Sequence, residues 1–246
     1  MGRARKLIRW GRRHPLIASL FLAVTFGSAF GLAHLSRLSR QLVQSAALES
    51  ASQHAEILEV VNNRFTSEVI QRAWQRKVPV RADYLTEHGA LPLPATFTID
   101  IAQELSRQSE SGMRVRLYSD FPWPWRKDGG PRDRFEHDAL TQLRDQPEEA
   151  YFRFEEYEGK PVLRYAIARR MSKDCLSCHN HLAESPKKTW REGDVRGVLE
   201  IIRPLERDAE RTRQGLRGTF LLMACVSGIL LGVGVAAMAL GRRRRL

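Results

Sequence analysis

The sequence predicts an α+β protein, an antiparallel sheet preceded by a long helix and flanked by two apolar helices long enough to cross a membrane. Three observations predict it. Two uncharged stretches, Leu16–Leu35 and Thr219–Leu240, lie near the two ends of the 246 residues. Between Ser36 and about Trp74 there is neither Pro nor Gly, and apolar residues recur at helical spacing through Leu42, Ala46, Ile57, Leu58, Val61, Phe65 and Val69. Further along, Pro161–Arg170 and Val195–Ile202 read as strands, the first with side chains alternating between two faces.

Charge places the ends. Residues 1–15 carry Arg3, Arg5, Lys6, Arg9, Arg12 and Arg13, residues 241–246 carry Arg242, Arg243, Arg244 and Arg245, and neither segment holds an acid. Cytoplasmic flanks of membrane spans are enriched in Lys and Arg. Both termini are therefore expected in the cytoplasm of a bacterial inner-membrane protein, with 16–35 and 219–240 as lipid-embedded helices and 36–218 in the periplasm. Small residues around Ala29 and Ala33 also fit a cleaved signal peptide, but the apolar run exceeds the usual signal core of about 7–15 residues, so an uncleaved anchor is expected. Each span has a Gly-x-x-x-Gly pair, Gly27 with Gly31 and Gly228 with Gly232, which offers a face for homodimer or span–span contact. The general abundance of glycine in membrane helices explains the pairs equally well. With ten of the 40 Lys and Arg residues in the flanks, the remaining 30 nearly balance the 28 acids, so no general attraction to phosphate follows and nucleic acid is not expected as a partner.

The elements follow in order. A long membrane-proximal helix is expected over 36–78, and the main domain over 79–218. Pro79, Pro92 and Pro94 break the chain, after which Ala95–Ser109 resumes a helical pattern that Gly112 can end. Met113–Ser119 reads as a strand and the Pro- and Gly-rich Phe121–Pro131 as a loop. Asp133 can cap a helix carrying Phe135, Leu140 and Leu143 that stops before Pro147. Tyr151–Tyr157 and Pro161–Arg170 form a hairpin around Glu158 and Gly159, with Val162, Arg164, Ala166 and Ala168 on one face and Leu163, Tyr165, Ile167 and Arg169 on the other.

Chemistry concentrates in Cys175-Leu176-Ser177-Cys178-His179, the attachment pattern of a c-type haem. On one helical turn the thiols at i and i+3 and the imidazole at i+4 share a face, so both sulfurs can bond the porphyrin vinyl carbons while the imidazole ligates iron. A redox dithiol, a zinc site drawing on Cys175, Cys178, His179 and His181, and a plain disulfide are the competing readings. No hydrolase elbow, zinc-protease helix or phosphate loop occurs outside the spans, and the acidic run around Glu148–Glu158 reads as a solvated face, so no enzymatic activity is expected.

The stretch 79–205 resembles a family of membrane-tethered, c-type-haem-binding, PAS-like periplasmic sensory domains. The resemblance is carried by Pro94-Ala95-Thr96-Phe97, Arg116-Leu117-Tyr118-Ser119 before the Pro-rich loop, Phe135-Glu136 with Ala139-Leu140, Pro161-Val162-Leu163-Arg164-Tyr165, Cys175 to His179, and Gly193-Asp194-Val195 with Gly197. It implies a PAS-like antiparallel sheet with one covalent haem c beside it, Cys175 and Cys178 as thioether residues and His179 as the proximal iron ligand. Asn180 departs from the glycine that commonly follows the histidine. The chain ends six residues after Leu240, so a cytoplasmic output module is not expected.

The sixth iron position decides between electron transfer and gas binding. His54 is the leading candidate, sharing a helix face with Leu58, Val61 and Phe65; Met113, Met171 and His181 are the others, and His34 is better explained by interfacial polarity. Arg164 and Arg170, with Arg169 and Lys173 nearby, are candidate contacts for the haem propionates, and Trp123 and Trp125 for a haem edge. The expected function is a redox or small-gas sensor coupled to a separate membrane signalling or redox partner. An electron-carrier subunit is the alternative, and a zinc- or disulfide-stabilised interaction domain the further one.

Overall fold

The chain divides into two units, Met1–Val43 with Asp208–Leu246, and Gln44–Arg207. A computed structural model describes residues 15–108 and 112–243. The basic flank over 1–14 and the tail residues Arg244 and Arg245 lie outside the described residues.

The first unit contains the start of helix α1 (Pro15–Arg64) and most of the last helix, α6 (Glu206–Arg243). Both are long and apolar enough to cross a membrane, with mean hydropathy 1.2 and 2.2 over their apolar windows. Phe26 and Phe30 are about three-quarters exposed, as lipid-facing side chains in a two-span protein would be. The two helices touch through small residues: Ser28 Oγ lies 3.5 Å from Ser227 Oγ, and a Cβ at Gly31 would come within 3.2 Å of Met223. At Gly27, Gly228 and Gly232 an added Cβ meets nothing. Of the two Gly-x-x-x-Gly pairs, then, only Gly31 marks a close approach.

The second unit is built on a four-stranded antiparallel sheet in the order β3 (Arg114–Tyr118), β6 (Val195–Pro204), β5 (Lys160–Arg170), β4 (Tyr151–Tyr157). Glu158 and Gly159, both at positive φ, make the tight β4–β5 turn whose twist suits a hairpin. Alternation along β5 and β6 then sorts side chains to two faces. Leu163, Tyr165, Leu199 and Ile201 pack against Ala47, Ala51, Ala55 and Leu58 of α1, whereas Ala166 and Val198 join Tyr118 beneath Phe135, Ala139, Leu140 and Leu143 of α4 (Arg134–Asp145). Asp133 caps α4, its carboxylate accepting from the backbone N–H of Glu136 at 3.0 Å, a contact worth about 1 kcal/mol.

Two expectations for the long helix need correction. Its sheet-facing stripe is Ala47, Ala51, Ala55 and Leu58, while Leu42 and Ile57 are exposed. Alanine lets helix and sheet close up, but it counts weakly in a hydrophobic pattern. The helical run also ends earlier than residue 78. It passes through a π-helical segment, Phe65–Ile70, into α2 (Gln71–Gln75), and Lys77 at positive φ closes it, with Lys77 N–H bonded to Trp74 O and Val78 N–H to Ala73 O. A short parallel pair, β1 (Val80–Arg81) with β2 (Leu91–Pro92), leads into α3 (Pro94–Gln108); prolines at its edges mask it in the sequence.

Candidate functional site

The motif forms α5 (Lys173–His181), directly after β5. Ser172 holds extended backbone before it, and its hydroxyl lies 3.1 Å from Cys175 Sγ. Helical spacing puts Cys175, Cys178 and His179 on one face, and all three line the same cleft, about 730 Å³ with its open mouth.

The opposite wall comes from the end of the long helical run, where Thr66, Ile70 and Trp74 follow one another at i, i+4 and i+8. Thr66 and Ile70 belong to the π-helical segment, a feature that recurs at functional sites, and Trp74 to α2. Thr66 returns its hydroxyl to Asn62 O at 2.7 Å, and Thr98 donates to the buried Asn62 side chain at 3.0 Å, which locks this wall to α3. Trp123 and Trp125 stack with ring centroids 4.7 Å apart, and Trp123 meets the His179 ring edge-on at 5.2 Å. A second cleft shares Ala95, Trp123, Arg126, His179 and Arg196 with the first and extends it to Arg169 and Trp190. Asn180 ties α5 to that side, donating to Trp190 O at 2.9 Å and accepting from Trp190 N–H at 3.0 Å. Asn180 is thus a two-bond anchor for the turn beside His179.

Electrostatics follow from burial. Desolvation, aided by the charge of Arg196, pushes the His179 imidazole down to about 4, leaving it neutral with a free lone pair. Burial pushes Cys178 up to about 12, so it is a thiol rather than the thiolate a redox dithiol uses. Both motif cysteines are free. Among the described residues no three His, Cys, Asp or Glu side chains gather around one point. His181 is exposed, its Nδ1 3.0 Å from Ser177 O.

Several sequence candidates are placed elsewhere. His54 is half-buried with Nδ1 2.6 Å from Ser50 O, and it stands twelve residues before Thr66, about 18 Å along the helix. It is no neighbour of His179, because a shared face says nothing about position along the axis. Met113 is buried in the core under α1, and Met171 packs on Cys175 and Trp190 without lining the first cleft. Arg164 and Arg170 do not line either cleft. Arg164 lies 2.6 Å from Glu200, 2.7 Å from Asp133 and 3.2 Å from Glu155, and Arg170 pairs with Glu148. Period-two alternation explains the correction: Arg164 shares the α4 face of β5, and Arg169 lies on the other. The cations that do reach the cleft are Arg126 and Arg196, which the sequence does not single out because they sit in a loop and at a strand start, far from the motif.

The Tll0287-like family model, described as Tll0287, matches residues 39–204, which takes in the whole sheet, the motif and most of the long helix. No curated protein matches the chain.

Proposed function

The chain belongs to the Tll0287-like family, and we propose that this member is a membrane-anchored periplasmic protein carrying one covalent haem c, acting as a redox or small-gas sensor for a separate membrane partner. The observation that carries the reading is the placement of Cys175, Cys178 and His179 on one turn, facing a cleft walled by tryptophans. The donor set suits the group. A flat apolar macrocycle with two carboxylates needs aromatic walls, a neutral imidazole and cations, and the cleft offers Trp74, Trp123 and Trp125, His179, and Arg126 with Arg196. In this reading each cysteine sulfur bonds a vinyl carbon while its proton moves to the neighbouring carbon, and His179 holds the iron. Haem supplies one-electron chemistry and an iron able to bind diatomic gases.

Around this site we place a PAS-like domain in the periplasm, with both helix flanks in the cytoplasm. The lining favours the sensor over the electron carrier. Among the described residues of the first cleft, His179 is the only imidazole and no methionine is present, so this lining offers the sixth position no second imidazole or thioether. The test is the full chain made in a host able to mature c-type cytochromes. We expect a Soret band that survives denaturation, disappears in Cys175→Ala/Cys178→Ala, and shifts with carbon monoxide in the ferrous state. A spectrum indifferent to carbon monoxide would favour the carrier, and colourless exported protein would remove haem altogether.

A further inference from the structure

Three arginines converge on the joined clefts with almost nothing to neutralise them. Arg169 is buried, its side chain 3% exposed, and its single carboxylate partner is Glu59 of α1; its Nε has no hydrogen-bond partner. Arg126 donates to Leu117 O at 2.8 Å, and Arg196 lies 3.2 Å from Cys175 Sγ. Neither has a carboxylate among the described residues, and Asp174 on the rim forms no ion pair with them. Burial, with the nearby charge of Arg196 added to it, weakens the hold of Arg169 on its own charge. Cations brought together out of water are unfavourable unless an anion sits among them.

The backbone is shaped to bring them together. Arg169 pairs with Gly197 and Arg170 with Val195, so Arg196 is the extra residue of a β-bulge. Regular alternation would send Arg196 to the face of Val198, under α4. The bulge turns it to the cleft instead, the kind of re-aiming for which bulges are used. Gly197 beside it permits a close strand approach, since a Cβ there would lie 2.6 Å from Tyr118 O.

We propose that Arg126, Arg169 and Arg196 form a receptor for a pair of carboxylates and, resting on the haem reading above, that these are the two propionates. The pair sits where the clefts join, next to His179, and its negative charge balances the two arginines left without a carboxylate among the described residues. Through Arg169 the receptor is also coupled to Glu59, and so to the helix that leads to the first span.

Two measurements test this on the full chain. In the matured protein, Arg126→Gln and Arg196→Gln should keep the covalent haem spectrum yet displace its redox equilibrium at least tenfold toward the ferric form, about 59 mV for one electron. Removing a nearby cation favours the more positive iron, and Arg170→Gln, outside the clefts, should shift nothing. Haem retained with an unchanged equilibrium in both cleft variants would overturn the receptor. Separately, Cys175→Ala/Cys178→Ala protein should bind free protoporphyrin IX about tenfold more tightly than its dimethyl ester, which lacks the carboxylates. Equal binding of acid and ester by Cys175→Ala/Cys178→Ala protein with native circular dichroism overturns the proposal with every arginine in place. Discrimination by a chain that never attaches haem would leave the receptor standing and refute only the haem reading.

Discussion

The two faces of the central sheet bury arginines in opposite ways. Under α4, Arg164 and Arg116 meet Asp133, Glu136, Glu155 and Glu200 within 4 Å, and Arg164 Cζ lies 4.2 and 4.7 Å from the ring centroids of Phe135 and Tyr157. On the cleft side Arg169 pairs with the single carboxylate of Glu59, and Arg126 and Arg196 have none among the described residues. Anionic groups outnumber cations on the first face and the reverse holds on the second. A network supplied with carboxylates by the chain's own groups holds the fold together. One left short of carboxylates is arranged for something the chain does not supply.

The sharpest way to break that comparison is to delete one arginine from each side. Arg164→Met strands buried carboxylates and should cost about 3–5 kcal/mol. Arg169→Met in the cofactor-free Cys175→Ala/Cys178→Ala chain removes a poorly compensated cation and should be neutral or stabilising. Thermal unfolding of both in detergent checks the contrast, which fails if the two losses are equal.

A pH series sharpens it. Burial pushes Glu200 up to about 7 against the opposing hydrogen bond from Arg164. A carboxyl with a raised folded-state pKa takes up a proton on folding, so its stabilising effect is full below the ordinary value near 4.5 and is lost as pH rises through 7. Glu200→Gln mimics the protonated form. It should match the native chain at about pH 4 and exceed it at about pH 8 by up to about 3 kcal/mol in denaturant unfolding. Equal stabilities at both pH values would mean that this face does not respond to its surplus of acid.

Gly197→Ala comes next. The added methyl group must push β3 from β6 beside Tyr118, costing about 1–3 kcal/mol, with the cleft face affected through the adjacent bulge. Circular dichroism melts read the loss, and an unchanged Tm would show that the strands part freely. His54→Ala is the smallest, within about 0.5 kcal/mol, and leaves the visible spectrum as it was. A changed spectrum would restore His54 as an iron ligand.

The same two faces explain what was legible in the sequence. Alternation in Pro161–Arg170 is enough by itself to separate Arg164 from Arg169, and Asp133, Glu158 and Gly159 announce their cap and turn through local chemistry. The motif announces its own helical face. What stays hidden depends on contacts distant in sequence. Nothing local identifies the alanines of α1 as the stripe on the sheet, aligns Thr66 rather than His54 with α5, or shows that Arg196 leaves its regular face. A bulge is a matter of register with a partner strand, and a strand's own side chains do not record it.

The central claim is that the chain's cysteine turn holds a covalent cofactor in this cleft. Intact-mass measurement of the full chain, exported in a host with c-type maturation and then denatured and alkylated, tests it most directly. The expected result is a chain heavier by one haem, with neither Cys175 nor Cys178 open to alkylation. A chain of unmodified mass with both thiols alkylated would contradict it.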